Sequence, residues 1–258
     1  MLVVIFLSLA LALSINLIMF LVAFQYRSDK LTDISYAVSF ISLDIMALYG
    51  GKAYNKFSII LFLLVILWAV RIGSFLLYRI LKVGKDKRFD QLRDSFVGFG
   101  KFWLGQAITA WVLMLPVTIS LYKGYANLRA LIYIGVVIWL IGLIIETAAD
   151  TQKIKFKNNP KNKDKWINNG IWSYSRHPNY FGEIAIWAGI YVYAFPALSY
   201  PQRLICLASP LLITLVLRYV SGVPILEKSA DKKWGKDSAY KSYKSRTNLI
   251  IPFPPSKK

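Results

Sequence analysis

The chain carries apolar blocks of about 20 residues, the length a helix needs to cross a hydrocarbon core of roughly 30 Å. Seven such blocks can be marked, at about 1–24, 31–49, 57–78, 102–120, 131–148, 180–196 and 204–220. Hydrocarbon satisfies no backbone N–H or C=O group, so only helices or closed barrels span it, and blocks this long mean helices. The expected fold is all-α: a polytopic membrane helix bundle of about seven transmembrane helices, one integral membrane domain over 1–258. The first 24 residues carry no charge. A cleavable signal peptide would open with a positive region and a shorter apolar stretch, so this block is expected to be retained as the first span.

Charge then orients the bundle. The 258 residues hold 32 Lys plus Arg against 13 Asp plus Glu, a formal net charge of +19. Nucleic-acid binding is the usual reading of such a balance, yet these cations flank membrane blocks. Of the 32, 26 fall in the loops on one side and 5 in the alternate loops, with Arg71 inside the third block. That bias predicts a cytoplasmic C-terminus and an external N-terminus, which an odd number of spans satisfies. The expected location is the inner membrane of a bacterium. Hydrophobic residues at 56 % exclude a disordered chain. One cysteine, Cys206, excludes an internal disulfide, and one histidine, His177, excludes a multi-histidine metal site. The cytoplasmic segment 221–258 interleaves Trp234, Tyr240 and Tyr243 with Lys and Arg before Pro252, Pro254 and Pro255. It is expected to pack back on the bundle.

The most informative string is Asn169-Gly170-Ile171-Trp172-Ser173-Tyr174-Ser175-Arg176-His177-Pro178-Asn179-Tyr180-Phe181-Gly182-Glu183, in which Asn169-Gly170 marks a turn. Pro178 suits the first turn of a helix, so the sixth span is expected to start there. Arg176 and His177 then flank a helix N-terminus, whose unpaired N–H groups form an anion site. Gly182 allows close approach. A carboxylate such as Glu183 in the first turns of a membrane helix is costly and marks a task. Trp172, Tyr174, Tyr180 and Phe181 supply rings for a flat ligand. The bland alternative is an aromatic belt with one positive-inside Arg. A belt requires no Asn, Gly and Glu within five residues of Pro178.

On these residues the chain resembles the steroid 5-alpha-reductase C-terminal superfamily, in particular its bacterial branch of uncharacterised membrane proteins. Trp68 to Gly73, the run Gly84 to Asp90, Ser221-Gly222-Val223-Pro224-Ile225-Leu226-Glu227 and the ending Tyr240 to Pro252 are similar to that branch as well. Isoprenylcysteine and phospholipid methyltransferases share the Arg-His-Pro core and the Tyr-x-x-Tyr…Ile-Pro ending. The resemblance implies a nucleotide-type cofactor, NADPH or S-adenosylmethionine, on the cytoplasmic side. It also implies a hydrophobic or lipid substrate entering from the bilayer.

Three features lean toward NADPH. The reductases resemble this chain in Asn179, Tyr180, Gly182 and Glu183, and an amide with a carboxylate suits the nicotinamide carboxamide, which donates and accepts. Glu146 and Asp150 at the end of the fifth block look like the reductases' acidic cofactor site. Arg176, Arg218 and Arg246 are the cations best placed for phosphates. Trp172, His177, Glu227, Tyr240 and Tyr243 complete the expected cofactor set. No GxGxxG follows a strand, so the carrier is not a Rossmann domain. Methyltransferases resemble a Glu-Glu pair after the last span, whereas this chain reads Glu227-Lys228.

Reduction of an enone needs a proton donor at the carbonyl oxygen. The resemblance implies a Glu on the second span and a Tyr on the third, and this chain departs from it by having no Glu on its second block. The second block offers Asp33, Ala37, Phe40 and Asp44 on one helical stripe; the third offers Arg71, Ser74 and Tyr78. Asp44, Arg71 and Tyr78 are the catalytic candidates, and a purely structural Asp44–Arg71 ion pair is the alternative. The expected activity is NADPH-dependent reduction of an activated C=C bond in a hydrophobic substrate. The alternatives are S-adenosylmethionine-dependent methyl transfer and a non-enzymatic membrane protein.

Overall fold

The computed structural model describes residues 1–51, 54–83, 89–90, 92–123 and 129–256. Lys52 and residues 84–88 of the basic run used above lie outside the described residues. The described chain is helical, with one isolated β-bridge between Ser175 and Asn248. Ten α-helices are numbered here in chain order: α1 (Leu2–Gln25), α2 (Lys30–Tyr49), α3 (Lys56–Val83), α4 (Phe96–Lys123), α5 (Arg129–Asn158), α6 (Pro178–Ala194), α7 (Tyr200–Cys206), α8 (Ala208–Leu215), α9 (Val223–Trp234) and α10 (Ser238–Arg246). Among the described residues, six stretches are long and apolar enough to cross a membrane: α1 to α5 and the run Tyr200–Trp234. The protein is therefore an all-helical integral membrane protein. The sixth expected block is α6, 17 residues long. Helix α5 runs ten residues past the apolar block that announced it, because its charged end continues as helix to Asn158.

The chain falls into two compact units, Met1–Tyr133 with Ile190–Ser209, and Ile134–Gly189 with Pro210–Lys258. All three boundaries fall inside helices, namely α5, α6 and α8.

In the first unit α1 to α4 pack through apolar side chains and a polar thread. Phe20 and Ala23 of α1 meet Phe99 and Trp103 of α4. Buried Asn16 donates to Ser39 Oγ at 3.0 Å, and Gln106 Nε2 donates to Asn16 Oδ1 at 3.1 Å and Ser35 Oγ at 2.7 Å. These bonds join α1, α2 and α4. Helices α2 and α3 run antiparallel, as three successive pairs establish. Arg79 pairs with Asp33 at 3.0 Å, a Cβ on Gly73 would meet the Ala37 Cβ at 2.7 Å, and Phe40 meets the Trp68 ring edge-on at 4.9 Å. The stripe expected on α2 therefore does face α3.

In the second unit α5 and α6 meet backbone to backbone. A Cβ on Gly182 would lie 2.7 Å from Gly142 O and Glu146 N, and a Cβ on Gly189 would lie 2.6 Å from Trp139 N. Glycines seven residues apart on each helix, Gly135 and Gly142 against Gly182 and Gly189, thus set the approach. Such small-residue seams are how membrane helices gain dispersion contact without a hydrophobic driving force. Gly182→Ala should destabilise the protein by about 1–3 kcal/mol, because backbone cannot give way as a side-chain end can. Gly105→Ala, where nothing lies within 4 Å, should be neutral or slightly stabilising. Thermal unfolding in detergent checks this, and equal midpoints for the two variants would contradict the seam.

Candidate functional site

The turn into α6 is built by the end of the chain. Tyr243 of α10 donates its hydroxyl hydrogen to Trp172 O at 2.8 Å. Beyond α10 the backbone returns beside residues 173–176: Arg176 N–H donates to Asn248 O at 2.8 Å, and Ser175 Oγ donates to Ile250 O at 2.7 Å. On the other side lies α5. Trp172 Nε1–H donates to Ala149 O at 3.0 Å, Ile171 N–H to Gln152 Oε1 at 3.0 Å, and Lys153 Nζ stands over the Trp172 ring at 4.7 Å. Gly170 takes φ +57°, a left-handed conformation that glycine adopts at little cost. As expected from the sequence, α6 starts at Pro178.

The anion at this helix start is the protein's own. Glu227 of α9 accepts from Arg176 at 2.5 Å and from His177 Nε2 at 2.9 Å, and Lys244 of α10 stands 3.3 Å away. Lys244 also bonds Asp231 at 2.6 Å, one turn along α9. Two cations and two carboxylates thus balance. His177 is 4 % exposed and stacks on Tyr180, with centroids 5.4 Å apart and planes at 6°. Burial lowers the His177 pKa from its ordinary 6.5, although Glu227 opposes the shift. The ring is therefore neutral at pH 7, with its hydrogen on Nε2 toward the carboxylate. That leaves Nδ1 as a lone-pair acceptor, buried and with no partner. Asn179 follows Pro178 and is partly buried. Burial raises the pKa of the Tyr240 phenol to about 12 and moves that of Tyr243 up as well, so both stay neutral hydrogen-bonding groups.

Several of the sequence candidates thus gather in the second unit: Trp172, Arg176, His177, Tyr180, Glu227, Tyr240 and Tyr243. Glu146 and Asp150 are buried on α5 (2 % and 3 % exposed), Glu146 beside Gly182. Glu183 lies partly buried on α6, one turn after Asn179. Arg218 stands on a π-helical turn with its guanidinium over the Tyr219 ring at 5.0 Å, and Arg246 ends α10. Two members of the cluster escaped sequence reasoning, Lys244 and Asp231. The signal was available: Glu227 and Asp231 are four apart on α9, as are Tyr240 and Lys244 on α10.

The three catalytic candidates lie on α2 and α3 in the first unit. The Asp44–Arg71 pair is not formed. Asp44 is fully buried, and both carboxylate oxygens lack a partner. The α2–α3 register explains this. Continuing past Phe40–Trp68 brings Asp44 to the level of Leu61, Leu64 and Val65, well beyond Arg71, which lies against the Phe75 ring at 5.5 Å. The acid that finds an arginine is Asp33. Tyr78 is 47 % exposed, with Lys82 Nζ 5.9 Å from its ring centre.

A family model described as a protein of unknown function, DUF1295, matches residues 19–247. The chain belongs to that family. No curated protein and no solved structure matches it.

The buried, neutral His177 gives a pH prediction. On unfolding the ring regains its ordinary value of 6.5. The unfolded chain therefore binds the proton first as pH falls, and stability present above that value is lost toward the lower folded one. The thermal midpoint should fall between about pH 7 and about pH 5.5, and His177→Gln should flatten that interval. Superimposable wild-type and variant curves would contradict a buried neutral ring.

Proposed function

We propose that the protein is a membrane-embedded, NADPH-dependent reductase of an activated C=C bond in a hydrophobic substrate. The observation that carries the reading is the pairing of His177 and Asn179 at the start of α6. His177 Nδ1 is an unpartnered acceptor, and the Asn179 side chain brings a donor and an acceptor one residue past Pro178. A nicotinamide carboxamide offers the complementary donor and acceptor. Membership of the family, together with the resemblance of residues 169–183 to the steroid 5-alpha-reductase group, supports the same reading. So does the Glu227-centred cluster, which holds His177 in the tautomer that leaves Nδ1 open. Bound there, NADPH would supply a hydride. The chain's own residues would orient the ring: His177 and Asn179 at the carboxamide, Tyr180 and Trp172 as flat neighbours. Lipid-facing helices would give a hydrophobic substrate its entry.

On this reading the chain crosses the membrane seven times, with α6 as the sixth span. The 26-to-5 distribution of Lys and Arg puts the C-terminal segment and the start of α6 in the cytoplasm. A bacterial inner membrane fits that orientation. The runner-up is methyl transfer from S-adenosylmethionine.

One binding experiment tests cofactor and orientation together. Sealed inverted vesicles should bind NADPH more tightly than S-adenosylmethionine, and right-side-out vesicles should bind neither. Asn179→Ala should weaken NADPH by about two- to tenfold, the value of one neutral hydrogen bond. Tighter binding of S-adenosylmethionine would replace the reductase by the methyltransferase. NADPH binding to right-side-out vesicles only would invert the topology.

A further inference from the structure

Between α8 and α9 the chain does not continue as an α-helix. Val216–Val220 forms a π-helical turn, in which Ser221 N–H donates to Val216 O at 2.9 Å, five residues back. Such a turn holds one residue more than an α-helical turn and is frequent at functional sites. Ser221 and the buried Gly222 follow, and α9 starts at Val223 with Pro224 in its first turn. Gly222 lands against two neighbours. A Cβ there would lie 2.5 Å from Leu217 O and 2.9 Å from Cε2 of the Tyr180 ring.

The Tyr180 contact bears on the imidazole. Tyr180 lies flat on His177, with centroids 5.4 Å apart and planes at 6°, and its edge at Cε2 faces Gly222. Five residues after Gly222 comes Glu227, which meets His177 Nε2 at 2.9 Å. The joint and the first turns of α9 thus fix the imidazole twice: on its edge through the carboxylate, and on one face through Tyr180. With Nε2 and that face occupied, Nδ1 is the polar atom left to a ligand, buried and with no partner among the described residues. The two collisions that a Cβ at 222 would make differ in kind. Leu217 O is backbone and resists displacement, whereas the Tyr180 ring is the end of a side chain and yields by turning about its χ angles. A ring that yields leaves the face of His177 uncovered.

The geometry points to Gly222 as a positioning residue for His177: the missing side chain at 222 admits the Tyr180 ring to its place against the imidazole. The positioning stands on these contacts, while its value for a cofactor rests on the reductase reading, in which His177 Nδ1 accepts from the carboxamide. The string Ser221-Gly222-Val223-Pro224-Ile225-Leu226-Glu227 then carries two tasks at one ring. Glu227 holds the tautomer, and Gly222, acting through Tyr180, holds the plane.

The test uses NMR on the detergent-solubilised full chain with its single histidine labelled. A phenol ring stacked on the imidazole shifts the imidazole carbon-bound protons upfield, and a glycine with a merely structural role would leave that shift in place when replaced. Tyr180→Leu should abolish the shift, and Gly222→Ala should lose much of it. Tyr180→Leu/Gly222→Ala should match Tyr180→Leu, because the ring through which the new methyl group acts is gone. Resonances unmoved by Gly222→Ala would overturn the proposal. So would an equal further displacement in the double variant, which would place the effect in the Leu217 backbone. If Gly222→Ala does not fold, recovery of the fold in the double variant supports the ring contact, and failure of both variants overturns it. Calorimetry with NADPH on the same proteins separates the two readings. Gly222→Ala should weaken NADPH by about two- to tenfold, the value of one neutral hydrogen bond. If the resonances respond as expected and the wild type binds no NADPH, the positioning stands and the reductase reading falls. If the wild type binds NADPH and the Gly222→Ala resonances are those of the wild type, the reverse holds.

Discussion

The carboxylate of Glu227 is the point on which the second unit's polar chemistry turns. It draws together a residue pair at the start of α6, Arg176 and His177, and a lysine of α10, across 51 and 17 residues of chain. A carboxylate 17 % exposed has lost much of its hydration, and hydrogen bonds to charged partners offset that loss. Removing it would leave Arg176 half-buried without a counter-charge, and breaking a buried pair from one side costs about 3–5 kcal/mol. The same carboxylate fixes the histidine. With Arg176 and Lys244 already balanced by Glu227 and Asp231, a third positive charge has nothing to neutralise it. The imidazole stays neutral, points its hydrogen at Glu227 and leaves Nδ1 bare.

This arrangement needs two supports. The glycine seam lets α6 lie against α5, which sets the height of Pro178 and of everything before it. The return of the chain at residues 247–250 clamps residues 173–176 from the other side. The ends of the chain's apolar run and its basic tail thus serve one purpose, holding a short, non-helical stretch of backbone between elements that cannot move independently of it.

Much of this was legible in the sequence. Block length announced the membrane helices, and Pro178 marked the start of α6 because proline's missing N–H costs nothing in a first turn. The patterned string around His177 pointed to a site, and it is where Glu227, Tyr243 and Trp172 converge. Two things were hidden. The anion expected from a ligand at Arg176 is a side chain from α9, because pairing between segments 50 residues apart depends on packing that no local pattern encodes. The alternative of a structural Asp44–Arg71 ion pair is not formed either. Both residues lie on the facing stripes of α2 and α3, but the stripe gives the face and not the register. The register is set by Asp33–Arg79, Ala37–Gly73 and Phe40–Trp68, and it carries Asp44 past Arg71 into leucine and valine.

Glu227 holds a neutral His177 whose buried Nδ1 has no partner. The chain has one histidine, so a histidine-labelled sample gives a single imidazole in the nitrogen NMR spectrum. At pH 6.5, where a free ring is half protonated, this ring should be mostly neutral, with the hydrogen of the neutral form on Nε2 and none on Nδ1. In Glu227→Gln the tautomer preference should weaken or reverse. A ring that is largely protonated at that pH, or one carrying its hydrogen on Nδ1 in the wild type, would contradict it.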